Sequence, residues 1–380
     1  MTPVSPPAGH QVHGIGTMLE APTWPAIAAD EAAAMLARFP AAGRMMDRLW
    51  HSPRPFSAAT LIRTDAGTVL LKRHHQRLRS VAGLGEEHRF IAHLAGAGMA
   101  VPEVIGSDDG ATAVTIGHWC YELHRQAAGV DLYRDRQSWT PFLSHAQARA
   151  AGVALAQVHN AARGFAAPPR QQRPLVASLT ILPAHDPLAA ADAYVAARPG
   201  LAAFLAARPW RPQLAGLFAE QGKGLAATLA KQPPLWTHND WHPSNLLWTD
   251  DGAVRTVIDF GLADRTCAIH DIATAIERSA IRWLDLPQGE DIADADTALA
   301  LLAGYRTIVP LDREAIAAIV RLLPLVHLEF ALSEIDYFTA VVDDPASATL
   351  TWDGYVLGHA AWFRTPPGRA FLHRIGEVPR

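Results

Sequence analysis

The sequence predicts an α+β chain, in which a small β-rich N-terminal part with one key helix precedes a large, mainly helical C-terminal part that contains a β-hairpin. Three observations point there. Residues 57–74 hold two β-branched, apolar runs around the turn signal Asp65-Ala66-Gly67, the pattern of paired strands. Beyond about residue 124 the apolar residues recur at helical spacing, as with Val153, Leu155 and Val158. That rhythm breaks once, at 237–261, for a short β interlude.

Residues 1–22 hold Pro, Gly and His without periodicity and read as a loose arm. Asp30 is placed to cap a short helix, EAAAMLARF, that Pro40 stops. The hairpin 57–74 follows, with Lys72 at the end of its second strand. Next, GLGEEHRFIAHLAGAG predicts a helix with Phe90, Ile91 and Leu94 on one stripe and Gly96 and Gly98 at its close. Strands up to about 123 come from VPEVIGSDDGATAVTI and HWCYEL. Ser144 caps the first helix of the remainder. The run QLAGLFAEQGKGLAATLAKQPP predicts one more helix, weakened by Gly222 and Gly224, each about 1 kcal/mol worse than Ala. The chain thus divides into 1–44 (arm and short helix), 45–123 (β-rich part) and 124–380 (helical part).

Composition narrows the function. The 380 residues carry a formal charge of −4 with no long like-charge block, which argues against a nucleic-acid partner. Cys120 and Cys267 are too few for a disulfide framework, so a reducing, cytoplasmic setting is expected. The start lacks the pattern of an export signal, and no run of 18 uninterrupted apolar residues occurs, so no membrane partner is expected. Of 33 basic residues only Lys72, Lys223 and Lys231 are lysine. Where a lysine persists in such an arginine background, a compact ammonium can be required that a planar guanidinium does not replace.

The β interlude can be laid out as a site. Its strands, 246–248 and 253–258, flank Asp250-Asp251-Gly252, so antiparallel partners should have residue numbers summing to about 503. Asn245 then falls opposite Ile258, with Asp259 next to it, and the two oxygen groups suit a hard cation such as Mg²⁺. Asp240 enters five residues before Asn245, in a loop stiffened by Pro243. Asp-x-x-x-x-Asn, a hairpin and Asp-Phe-Gly together are the parts of kinase-type phosphoryl transfer, in which positioning and charge neutralisation do most of the work. Lys72 is placed to meet nucleotide phosphates. Glu87, on the Ile91 and Leu94 side of the next helix, can hold that lysine.

THNDWHPSNLLW, VIDFGLAD and Asp271 of HDIATAI resemble the aminoglycoside phosphotransferase and choline-kinase-like family of small-molecule kinases, over roughly 45–285. The resemblance implies the bilobal fold of protein kinases, ATP or GTP with Mg²⁺ as cofactors, and a small-molecule hydroxyl acceptor. It further implies Asp240 as catalytic base, Asn245 and Asp259 as Mg²⁺ ligands, Lys72 and Glu87 as the phosphate lysine and its partner, and His238 and Asp271 as structural supports. Backbone around Glu122 and Leu123 would meet adenine. No glycine loop precedes Lys72; HSPRPFSA stands there, so Ser52 or Ser57 would contact phosphate.

Bland readings accompany these. His74 and His75 read as exposed strand-end residues, His159 as a packed or helix-end histidine, Trp236, Trp241 and Trp248 as packing around the hairpin, and Lys223 and Lys231 as solvated. Two other functions compete: a nucleotide-binding pseudokinase or kinase-like regulator, and a metallohydrolase using His238, Asp240 and His242 on one strand face, which Pro243 interrupts. Residues 281–380 carry fourteen acidic and eight basic side chains. If Asp285, Glu329, Glu334 or Asp336 line the acceptor pocket, a cationic amino sugar or amino alcohol is the expected acceptor.

Overall fold

The computed structural model describes residues 23–52, 56–134, 136, 138, 140–171 and 174–377. The expected arm, 1–22, lies outside them. The first helix, α1 (Ala29–Leu36), begins one residue before Asp30. Its cap position is Ala28, whose N–H is taken by Glu31 at 3.3 Å, so the cap is Glu31 reaching back rather than Asp30. A strand the sequence reading lacks, β1 (Met45–His51), is mostly exposed and has no alternating apolar face to betray it. It pairs with β2 (Ala58–Thr64), which turns into β3 (Gly67–His75) as expected.

Helix α2 (Val81–Gly96) is capped by Ser80, which accepts from the Gly83 N–H. After it, β4 (Ala113–Ile116) and β5 (Trp119–Arg125) complete an antiparallel sheet in the order β1-β2-β3-β5-β4. Side chains alternate across a strand. Val69 and Leu71 therefore join Ile62, Tyr121 and Leu123 in a cluster against Met35 and Leu36 of α1. Lys72 and His74 take the opposite face, with Ala59 and Glu122 beside Lys72 on the neighbouring strands.

The remainder is helical, with α3 (His145–Ala161), α4 (Pro187–Ala196), α5 (Pro199–Leu205), α6 (Trp210–Gln221) and α7 (Leu225–Leu229) before the hairpin. Ser144 caps α3 as expected. The single helix expected over 213–234 is two, α6 and α7, because Gly224 adopts φ +74°, a left-handed conformation that ends one helix and opens the next. Then β6 (Leu235–Thr237) pairs with β9 (Asp264–Thr266), and β7 (Leu246–Trp248) pairs with β8 (Val254–Val257). Leu246 faces Val257 and Leu247 faces Thr256, the register expected.

Helices α8 (Ala268–Ser279), α9 (Ala295–Arg306), α10 (Arg313–Leu322) and α11 (Leu328–Ala340) follow. The chain then runs through α12 (Pro345–Leu350), a π-helical segment Thr351–His359, α13 (Ala360–Trp362) and α14 (Pro366–Gly376). The run Arg313–Ala340 is long and apolar enough to cross a membrane by composition, but 78% of its most apolar window is buried in the fold, as in a core helix. Helices α3 and α9 pack backbone to backbone. A Cβ on Gly152 would overlap the Leu301 carbonyl, and one on Gly304 the Arg149 carbonyl, neither of which can rotate away.

Alanine is the better helix former by about 1 kcal/mol, yet overpacking of this kind costs about 1–3 kcal/mol. Gly152→Ala and Gly304→Ala are each expected to lower the thermal unfolding temperature. An unchanged or raised temperature would show that the two helices separate freely.

Candidate active site

The loop between β6 and β7 is held by one carboxylate. Asp271, on α8 and with no exposed surface, accepts the N–H groups of His238 at 3.0 Å and Asn239 at 2.8 Å, and meets His159 Nε2 at 3.0 Å. Burial works against its ionisation, but the bond and charge of His159, with His238 and the Asn239 N–H, outweigh that and hold its pKa below the ordinary 3.8. Asn239 sits at φ +59° and Asp259 at φ +61°. Such strained non-glycine residues persist where surrounding bonds over-determine them. The Asn239 side chain shows how: its oxygen lies 2.9 Å from Thr237 Oγ1, 3.1 Å from Thr266 Oγ1 and 3.2 Å from His270 Nδ1.

His238 ties the loop to the strand that leads into Asp259. Its Nε2 reaches the Ile258 carbonyl at 3.0 Å, and its Nδ1 faces the Asp240 N–H at 3.2 Å. A carbonyl only accepts and an N–H only donates, so the ring is neutral with its proton on Nε2. Burial, which lowers its pKa, agrees. With both nitrogens engaged, His238 is not available for the metallohydrolase reading. Asn245 donates to the Asp240 carbonyl at 2.9 Å and to Asp240 Oδ2 at 3.0 Å, and its own carbonyl accepts from the Ile258 N–H at 2.9 Å. The other Asp240 oxygen is paired with Arg278, from the last turn of α8.

Lys72 Nζ lies 3.3 Å from Asp259 Oδ1, across 187 residues of sequence. Burial would lower its pKa, but Asp259, Glu122 and Glu87 together raise it, so it is an ammonium. The expected direct pair with Glu87 is replaced by this one. Glu87 is buried and lies 3.7 Å from Arg170, whose Nε is 3.8 Å from Glu86. Arg170 also donates to the carbonyls of Gly83 and Gly261 at 2.9 Å, and Arg79 donates to Gly261 at 3.1 Å. Two arginines therefore fasten α2 to the segment after Asp259. Phe260 packs its ring 4.8 Å from His238 and 5.9 Å from Phe90 of α2.

Lys72, Asn245 and Asp259 open onto one cavity of about 240 Å³. Ser52 and Ser57 also line it, and residues 53–55 of the intervening loop lie outside the described residues. Leu61 and Leu70 on one side and Leu247 and Ile258 on another make an apolar slot. Glu122 and Leu123 do not line it. They sit inside β5, where Glu122 is flanked by Lys72 and Ala113, and the edge of the cavity is formed by His124, Arg125, Gln126 and Ala127. The strand simply runs two residues further than its sequence suggests. The buried Glu122 side chain instead meets His74 at 2.9 Å, His88 at 2.6 Å and His124 at 2.9 Å, so His74 is not an exposed strand-end residue.

The acids offered for an acceptor pocket are mostly structural. Glu329 takes Ser178 Oγ, Thr180 Oγ1 and the N–H groups of Thr180 and Ile181 at 2.6–2.9 Å. Asp336 takes the Leu201 N–H at 3.2 Å, and Asp285 pairs with Arg282 on the surface. Trp236, Trp241 and Trp248 are buried as packing, and Lys223 and Lys231 are exposed. His159, buried at the end of α3, bridges Asp271 and Tyr305 Oη. Arg79, Arg170 and Arg278 were invisible in the sequence, since an arginine with a task looks like any other among thirty. A second, small cavity of about 10 Å³ beside Asn239 is lined by Ser178, Glu277, Arg278, His327, Phe330 and Tyr355, among others.

The family model described as "APH: Phosphotransferase enzyme family" matches residues 54–310. The chain belongs to this family. It is a kinase, a phosphotransferase with an alcohol group as acceptor. No individually curated protein matches it in sequence. Among solved structures it is similar to an aminoglycoside phosphotransferase from Alicyclobacillus acidocaldarius subsp. acidocaldarius, at 16% identity and TM-score 0.52, covering 94% of this chain and 96% of that one. An amicoumacin kinase in complex with AMP-PNP, Ca²⁺ and its substrate is 15% identical with TM-score 0.55, covering 92% and 96%. A microcompartment-associated aminopropanol kinase is 15% identical with TM-score 0.54, covering 91% and 99%. At these identities the likeness is one of fold.

Two groups under this site give successive windows of pH dependence, both with stability falling as pH drops. Burial lowers His270 to about 4, so between about pH 6.5 and 4 the unfolded chain takes up a proton that the folded one refuses. Stability from this group is complete above that window and falls as pH drops through it, by at most about 1.4 kcal/mol per pH unit. Asp271, with its lowered pKa, holds its contribution until below 3.8. His270→Gln is expected to flatten the unfolding temperature between pH 6.5 and 4, and Asp271→Asn the fall below pH 4. Parallel profiles for wild type and His270→Gln would remove His270 from the account.

Proposed function

We propose that the protein transfers the γ-phosphoryl group of ATP to a hydroxyl of a small molecule, with Asp240 as the base and Mg²⁺ held by Asn245 and Asp259. The convergence of Lys72 and Asp259 in one cavity with Asn245 carries this reading. A dry slot between leucines for a base, a buried ammonium for phosphates and an amide and a carboxylate for a hard cation form the donor set such a cofactor needs. Bound Mg²⁺ supplies charge neutralisation on the phosphates. Every other task falls to the chain.

Asp240 receives the acceptor's hydroxyl proton as the new P–O bond forms and the γ-bond to ADP breaks. Arg278 fixes the Asp240 carboxylate from one side and Asn245 from the other, so a free oxygen direction is defined in advance. Lys72 exchanges Asp259 for phosphate oxygens when nucleotide enters. The base would lie between Leu70 and Leu247, with its edge toward Gln126 and Ala127 rather than Glu122 and Leu123. Ser57, on the same cavity, would reach phosphate in place of a glycine loop. On this reading residues 45–123 serve the nucleotide and 124–380 supply the base, metal ligands and acceptor pocket.

The acceptor is proposed as a small hydroxylated molecule. Amino alcohols and amino sugars come first, because residues 281–380 are acidic on balance and Glu334 and Glu277 remain buried near Arg278 and the second cavity.

ATP turnover screened over amino sugars, choline, homoserine, plain sugars and a protein substrate tests the class, and activity confined to anionic or protein acceptors would reject a cationic one. Asp240→Asn is expected to lower kcat by about 10²–10⁴-fold, the usual weight of a general base. Unchanged turnover in a folded variant would favour the pseudokinase reading. Lys72→Arg keeps the charge but not the shape and should raise KM for ATP and lower kcat; wild-type values would displace the phosphate site from Lys72.

A further inference from the structure

Among the described residues, two groups of buried side chains hold three potential ligand atoms within 4.8 Å of one another: His88, Glu122 and His124 under the sheet, and Glu277, His327 and His359 among the C-terminal helices. Their surroundings differ in charge. Glu122 already meets three imidazoles and has the Lys72 ammonium as a neighbour, so a metal dication there would be buried beside a fixed positive charge. Glu277 shares its small cavity with Arg278, but that guanidinium is already paired with Asp240. Among the described residues its ion-pair partner is His359 alone, at 3.1 Å. The adjacent Arg278 turns away to Asp240 and lies 4.9 Å from the Phe330 ring centre.

The histidines are prepared as ligands. His327 Nε2 lies 3.3 Å from the Val356 carbonyl, which only accepts, so the proton is on Nε2. Its Nδ1 is then a lone pair, buried and with no hydrogen-bond partner. An imidazole whose far N–H is fixed on a carbonyl while its near nitrogen stands bare is the arrangement found around protein-bound metals. His359 is clamped by Trp283, stacked at 3.6 Å and 9°. It ends the π-helical segment Thr351–His359, and the wider π turn, rare and costly, is retained mostly where it aims a functional side chain.

We propose that Glu277, His327 and His359 form a binding site for a zinc-class divalent ion. Two imidazoles and one carboxylate are a three-ligand set for Zn²⁺, which leaves a fourth tetrahedral position. Glu277 and His327 both line the small cavity beside Asn239, so that position opens into it, with room for a water. Ligand separations of about 3.3 Å, required by tetrahedral zinc bonds of about 2.05 Å, need only small shifts from the observed cluster. The ion would pair with the buried Glu277 carboxyl, whose ion-pair partner among the described residues is His359.

Zinc content is the readout, independent of turnover. Protein loaded with Zn²⁺ at pH 7.5 and passed over a chelating resin is expected to retain about one zinc per chain, and Co²⁺ loading to give the visible bands of a tetrahedral site. Competition with a chromophoric chelator should show affinity at least about tenfold weaker in Glu277→Gln and in His359→Ala, but within about twofold of wild type in His88→Ala. If His359→Ala does not fold, the nearly isosteric Glu277→Gln carries the test through the rise in unfolding temperature that Zn²⁺ gives wild type. No retained zinc in wild type, or full affinity in Glu277→Gln, would overturn the site. Loss of zinc only in His88→Ala would move it to the sheet.

Discussion

The arrangement of this site depends on one buried carboxylate. Asp271 takes the N–H groups of His238 and Asn239, two consecutive residues whose backbone cannot otherwise be satisfied where the chain leaves a short strand for a strained turn. A buried unpaired N–H costs about 1–3 kcal/mol, so two of them would unmake the turn. Asp271 in turn needs a partner, and His159 supplies it from α3. The close glycine contact of α3 with α9 is therefore not remote from the chemistry: it sets the depth of the helix that carries the histidine, and Tyr305 of α9 holds the other side of that ring.

From Asp271 the order passes outward through His238. Because its two nitrogens face one obligate acceptor and one obligate donor, the ring is a rigid spacer between the Asp240 backbone and the Ile258 carbonyl. Asp240 and Asp259 are nineteen positions apart, yet the distance between their backbones is set by a single imidazole and a single hairpin register. That is what preorganisation requires of a site whose work is positioning. Arg79 and Arg170 extend the same order to α2 by sharing the Gly261 carbonyl, so the helix bearing Glu87 cannot shift without disturbing the turn after Asp259.

Much of this was legible in the sequence because it is local. Hairpin register follows from turn residues and arithmetic, a cap from a serine, and Lys72 from its place at a strand end ahead of the Glu87 helix. What was not legible is of two kinds. Boundaries failed where the deciding fact was conformational rather than compositional: the left-handed Gly224 that splits α6 from α7, and the two further residues of β5 that move the cavity edge from Leu123 to Ala127. Long-range partners failed for a different reason. A lysine stood out against thirty arginines, but Arg79, Arg170 and Arg278 had no background to stand out from, and Glu329 or Asp336 as helix fasteners look like any acid on a helix until their partners are in view.

The pairing of Lys72 with Asp259 rather than Glu87 has a physical consequence for how the cavity accepts a polyanion. In the chain alone the ammonium faces Asp259, Glu122 and Glu87, while Arg170 and Arg79 lie behind α2 on backbone carbonyls and Glu87. Phosphates arriving at Lys72 meet an ion pair already made, so their gain is the difference between two pairings and not the full strength of one. On the proposed reading Asp259, released from the lysine, would lie beside more negative charge, which favours the arrival of a cation in the same step. On the proposed reading nucleotide and divalent ion would be coupled by charge balance: either one by itself would break the Lys72–Asp259 pair at a loss, and the two together would replace it with two pairings. Arginine at position 72 would disturb this exchange even with its charge intact, because a planar fork that holds a carboxylate bidentately is harder to pull away than a single ammonium contact.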